Sequence, residues 1–121
     1  MLKLQILPQP LTVCKVESLE GFSMSGLYFI GSTDEELSLV CETDRVPSNT
    51  LAREDGWRAM RVAGTLDFAL TGILSGIAAA LAGAKVGIFA VSTYDTDYIL
   101  VKEERLDRAV EALRGAGYAV E

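Results

Sequence analysis

The chain has 121 residues, half of them hydrophobic and 23% charged, with 11 Lys+Arg against 17 Asp+Glu for a net charge of −6. It contains no histidine, which excludes Ser-His-Asp and Cys-His catalysis, His-ligated zinc or haem, and a histidine pH switch. The acidic balance disfavours nucleic acid, whose phosphate backbone calls for a basic face, and the globular composition excludes a disordered tail.

In chain order, alternating apolar segments predict strands near Lys3–Leu7, Thr12–Val16, Tyr28–Gly31 and Leu37–Cys41. Between them there is room only for single helical turns, around Ser18–Phe22 and between Pro47 and Glu54. Pro8 and Pro10 break the first apolar run, so no secretory leader is expected, and the setting is expected to be reducing and cytoplasmic. Cys14 and Cys41 form no CxxC pair; both fall in predicted strands, where free cysteine behaves as a small buried hydrophobe. Arg45, Arg53, Arg58 and Arg61 are scattered among acids and read as solvated. From Trp57 the pattern is richer. It predicts a strand over Trp57–Ala63, a helix over Thr71–Ala84, and strands over Val86–Ser92 and Tyr98–Lys102. A helix over Glu104–Gly115 follows, with Leu106, Ala109, Val110 and Leu113 at helical spacing and Gly115 and Gly117 as stops. Tyr118–Val120 closes as a strand.

The uncharged run Phe68–Ala84 contains Gly72-x-x-x-Gly76, a pattern also found in membrane helix pairs. The run lies at the lower limit for a span, Lys85 stops it, and a β-branched strand follows. Leu70, Ile73, Leu74, Ile77, Ala78 and Leu81 form one helical stripe, while Ser75, Gly76, Ala79, Ala82 and Gly83 make a small opposite face. We read a helix buried on both faces outside any membrane, its small face admitting another backbone.

The chain also echoes itself. Thr12–Val16 resembles Arg58–Val62, and Ser32-Thr33 recurs as Ser92-Thr93 at an offset of 60, with an acidic residue, Leu-Val and Glu recurring at 61. From Val16 to Ser32 is 16 positions and from Val62 to Ser92 is 30, so the second copy holds 14 more, about four helical turns. The fold class is therefore α+β: ferredoxin-like βαββαβ units in tandem, the first (1–55) with degenerate helices and the second (56–121) complete. The first sheet should leave one face bare and in need of a partner.

Two segments carry candidate binding chemistry. Thr71 and Gly72 open the long helix, where backbone N–H groups without intrahelical partners can seat a carboxylate; an ordinary helix cap is the plain alternative. Ser92-Thr93-Tyr94-Asp95-Thr96-Asp97 sets two carboxylates and several hydroxyls between two strands, able to hold an ammonium group, or serving only as a solvated turn. Nothing nearby supplies a nucleophile–base pair or a metal cluster, so no enzyme, metal or cofactor is expected.

The segments Leu66–Leu74 and Ile88–Val101 resemble small bacterial ACT-domain proteins that carry paired ACT units, and are similar to the ACT pairs of amino-acid sensors in the animal CASTOR family. The resemblance is specific over Trp57–Leu113 and looser before residue 50. It implies a non-enzymatic regulatory protein that binds an amino acid or similar small molecule where ACT units meet, acting as a homodimer with no nucleic-acid or membrane partner. It implies that Gly72, Ile73 and Leu74 line the ligand, faced by Thr93 and Asp97; with Thr71 and Asp95 these are the candidate ligand-binding residues. The common Asp-x-Pro-Gly of ACT units is here Ala69-Leu70-Thr71-Gly72, with only the glycine kept. The alternative is an assembly module that kept the fold without the ligand.

Overall fold

A computed structural model describes residues 2–63 and 72–121. In chain order its elements are β1 (Lys3–Ile6), β2 (Leu11–Val16), β3 (Tyr28–Ser32), β4 (Leu37–Glu42), β5 (Thr50–Val62), α1 (Ile73–Gly83), β6 (Phe89–Ser92), β7 (Asp97–Lys102), α2 (Leu106–Gly115) and β8 (Ala119–Val120). Single 3-10 turns, Thr43–Arg45 and Glu103–Arg105, follow β4 and β7. By contacts the chain divides into a short unit, Gln9–Trp57, and a helical unit, Met1–Pro8 with Arg58–Glu121.

The short unit orders its strands β3-β4-β2-β5, every neighbouring pair antiparallel. This is the strand order of a βαββαβ module without its helices. The first expected helical turn is a tight turn, the Phe22 amide donating to the Leu19 carbonyl at 3.1 Å. The second is not between Pro47 and Glu54. It is the 3-10 turn Thr43–Arg45, and β5 already runs from Thr50, its extra length hidden from pattern reading by the charged stretch Arg53-Glu54-Asp55.

One sheet face of this unit carries Cys14, Val16, Leu39 and Cys41. It is not bare, contrary to the sequence expectation. Phe22, only 8% exposed, packs there with Leu19, Tyr28 and Val46, and its ring meets Tyr28 edge to face at 5.4 Å. The covering loop is tied down by polar contacts. The Leu27 amide donates to Glu42 Oε2 at 2.8 Å, Arg45 Nη1 donates to Ser25 Oγ at 2.6 Å, and Asn49 Nδ2 donates to the Ser18 carbonyl at 3.1 Å. Gly26 (φ +74) is required where Glu42 closes in, because a Cβ there would overlap the carboxylate.

The helical unit orders its strands β6-β7-β5-β1-β8. Without β1 this is again the βαββαβ order. The closing strand β8 does not reach β5: β1 lies between them, antiparallel to β5 (Leu4↔Val62) and parallel to β8 (Leu4↔Val120). That pairing is why the first eight residues count with the helical unit, so the contact boundary differs from a cut after residue 55. Leu4, Met60, Val62, Ile99 and Val101 from the sheet pack on Ile77 and Leu81 of α1 and Ala109 and Leu113 of α2.

Both helices end alike. In α2, Gly117 (φ +98) donates to the Arg114 carbonyl and Tyr118 to that of Leu113, a Schellman motif with glycine at its left-handed position. In α1 the Lys85 amide donates to Ala82 and the Val86 amide to Leu81, with Lys85 at φ +61 in that same position. The small face of α1 is not buried as expected: Ser75, Ala79, Ala82 and Gly83 are exposed. Gly76 lies close to Tyr118, since a Cβ there would stand 2.7 Å from the Tyr118 hydroxyl. Eleven residues of α1 span about 16 Å, and no helix among the described residues is long and apolar enough to cross a membrane.

Candidate functional site

The registers settle how the two units correspond. Phe29↔Val40 in the β3–β4 hairpin matches Phe89↔Leu100 in β6–β7, and Ser32↔Leu37 matches Ser92↔Asp97. Across the hairpins the repeat is therefore 60, and the identities at 61 are incidental. β4 and β7 share one burial pattern, three consecutive buried residues between half-buried ends.

The two hairpins also share one turn. The Thr93 amide donates to the Thr96 carbonyl at 2.8 Å, and that of Thr33 to Glu36 at 2.9 Å. Each threonine hydroxyl closes the same turn a second time, Thr93 Oγ1 donating to the Thr96 carbonyl at 3.0 Å and Thr33 Oγ1 to that of Glu36 at 3.3 Å. Hydroxyl-closed turns of this kind are what Ser and Thr form locally. At Thr93 and Asp95 the plain turn reading thus has its geometry: both are exposed, and the Thr93 hydroxyl is engaged by its own turn.

Two positions set the helical unit's turn apart. Asp97, half-buried at the start of β7, accepts the Ser92 hydroxyl at 2.6 Å; its register counterpart is Leu37. Thr96, 9% exposed, sends its hydroxyl to the Val62 carbonyl at 2.6 Å; its counterpart Glu36 is exposed and accepts from Ser38 Oγ. Val62 ends β5, from which the chain runs on to α1. The Thr96 bond therefore joins the acidic turn to the strand that leads into the other candidate segment.

In that segment Thr71 lies outside the described residues. Gly72 is exposed with φ +80 immediately before the first helical residue, and a Cβ there would meet nothing within 4 Å. Its carbonyl accepts the Gly76 amide at 2.8 Å. Ile73 and Leu74 are half-buried against the core, so they anchor the helix start. The opening amides, with no earlier carbonyl in the helix to meet, stand beside a residue that has no side chain. Arg58 and Arg61 are not solvated as expected. Arg58 Nη2 donates to the Leu7 carbonyl at 3.0 Å with Glu103 3.7 Å from Nη1; Arg61 bonds Gln5 and lies 5.9 Å from the Tyr98 ring centroid. Cys14 and Cys41 are free and buried, as their strand positions predict. Burial pushes both thiols up, Cys41 to about 11. No metal-binding cluster occurs among the described residues.

Sequence reading passed over Thr96. Its signal was available: at an offset of 60 it replaces a charged residue, Glu36, by one able to bury its side chain.

The family of ACT domains matches residues 52–115 of this sequence. The chain belongs to the ACT domain family. Its resemblance to ACT proteins in the sequence thus holds at the level of the family, and the α+β, ferredoxin-like ACT fold holds with it. A protein from Agrobacterium tumefaciens, known from its crystal structure, is 31% identical and superposes with a TM-score of 0.89, covering 99% of this chain and 92% of that one. A protein of unknown function from Vibrio cholerae is 17% identical, with a TM-score of 0.69 over 95% of this chain and 89% of that one. The ligand-free regulatory subunit of aspartate kinase from Thermus thermophilus is 8% identical, with a TM-score of 0.67 over 94% and 96%. These last two are likenesses of fold. Among curated proteins none matches the sequence.

Proposed function

We propose that this ACT protein is a non-enzymatic regulatory module of paired ACT units that binds an amino acid, acting in the cytoplasm as a homodimer. Its ligand is held at an interface between ACT units, in the manner of the CASTOR-family sensors it resembles. Residues 1–55 represent the degenerate unit in sequence and 56–121 the complete one. The carboxylate sits on the amides at Thr71, Gly72, Ile73 and Leu74, and the ammonium faces Asp97 and Asp95 with Thr93 at the rim. A zwitterion meets opposite partial charges at a helix start and a carboxylate, so one ligand class satisfies both segments.

The observation that carries this reading is the Thr96–Val62 bond, 2.6 Å long and buried, which fixes the acidic turn to the strand leading to the helix start. Membership of the ACT family supports it, as does the shared fold of an aspartate kinase regulatory subunit. Two buried free thiols support a reducing compartment. A thermal-shift screen of the twenty amino acids tests the reading: a ligand specific for the folded state raises the melting temperature. At least one amino acid should do so, and Asp97→Asn should remove the shift. Silence from all twenty, or a shift that Asp97→Asn leaves intact, sinks the site.

One observation favours the alternative of a ligand-free assembly module: the exposed, uncharged small face of α1, which suits close helix approach. A stable dimer by native mass spectrometry, together with a silent screen, selects it.

A further inference from the structure

We infer that Thr96 is the positioning residue of the ligand site and that each chain therefore offers one such site, in its helical unit. This rests on the amino-acid-binding reading. The two hairpins have the same register, the same threonine-closed turn and the same burial along β4 and β7. A site built from the hairpin alone would therefore be present twice.

The differences fall at two adjacent positions. Where the helical unit has Thr96, its hydroxyl on the Val62 carbonyl, the short unit has exposed Glu36, whose carboxylate turns back to Ser38 Oγ at 2.6 Å. Where the helical unit has the half-buried carboxylate of Asp97, the short unit has Leu37, which packs on the Phe22 cluster. The short unit also has no helix after β2 to supply amides. Its acidic turn is left as a solvated loop.

Thr96 acts through Asp97. Its buried hydrogen bond sets the height of the turn against the end of β5, and Asp97 is the next residue. A buried hydroxyl bonded to a carbonyl holds its partner strands in one arrangement, and removing it takes that donor away. Serine keeps the hydroxyl; valine keeps the shape and loses it.

Isothermal titration with an amino acid that shifts the wild-type melting temperature should give one ligand per chain. Thr96→Val should weaken binding tenfold or more, and Thr96→Ser should stay within about twofold of wild type. Two ligands per chain, or Thr96→Val binding as wild type does, overturns the inference. If no amino acid binds the wild type, the ligand reading has failed, and hydrogen exchange then decides the role of Thr96. In Thr96→Val the Thr93 amide should exchange tenfold faster or more while the matching Thr33 amide keeps its rate. Equal rates at Thr93 in variant and wild type, or both amides accelerating together, overturn it.

Discussion

The short and helical units are two solutions to one problem: how a sheet built on the βαββαβ strand order covers its apolar face. The helical unit uses α1 and α2, whose Ile77, Leu81, Ala109 and Leu113 lie on Met60, Val62, Ile99 and Val101. The short unit presents Cys14, Val16, Leu39 and Cys41 at the matching positions and covers them with one loop, carrying Leu19 and Phe22. The lesson is that strand register can outlast the helices that normally accompany it, provided one large side chain and a few tethers replace them. What the loop does not replace is the helix start.

The largest expected effect tests whether Phe22 stands in for a helix. Phe22→Ala should cost about 3–5 kcal/mol in urea denaturation, the usual range for truncating a buried phenylalanine. A loss below about 1 kcal/mol would mean that something else covers the sheet.

A smaller effect distinguishes the cores by pH. Cys41 occupies the position that Val101 holds in the helical unit. Burial raises its thiol from 9.0 to about 11, with the Cys14 thiol adding and Arg53 opposing. The unfolded chain releases that proton near 9, so this contribution is complete below about 9 and is lost as pH climbs through about 11. The amount is about 2–3 kcal/mol, at about 1.4 kcal/mol per unit. Stability curves between pH 8 and pH 11 should therefore fall more steeply for wild type than for Cys41→Ala; parallel slopes refute the assignment.

The smallest effect concerns only the helical unit. Lys85 holds the left-handed position that Gly117 fills after α2. A side chain there costs about 1 kcal/mol, so Lys85→Gly should stabilise by about that amount and Gly117→Ala should destabilise by about the same. Amide exchange should locate both changes in α1 and α2 and leave β3 and β4 unchanged. If Lys85→Gly brings no gain, the end of α1 carries no strain.

Much of the fold was legible because apolar alternation and helical spacing are local. Leu106, Ala109, Val110 and Leu113 announced α2, and the β4 and β7 segments announced themselves as apolar strands after an acidic turn. Strand β1 was legible as a strand but not as the one inserted between β5 and β8, since pairing between residues so distant in sequence leaves no local trace. The same reason hid Tyr118 against Gly76, which read as room for a backbone and instead faces the tyrosine hydroxyl. At the candidate site, the acidic turn and the helix start were visible as residue types. Thr96 was not, because a hydroxyl shows its role only through the carbonyl it reaches, and that carbonyl is 34 residues away.

By itself the sequence determined the periodicity of each element, the echo of the first hairpin in the second, and the absence of imidazole chemistry, all of which depend on residue identity and spacing. Only the tertiary structure decided that the repeat is 60 and not 61, that a loop covers the short unit's sheet, and that one acidic turn of the two is anchored. Those outcomes depend on hydrogen bonds and packing between distant segments, whose energies exist only once the chain has folded.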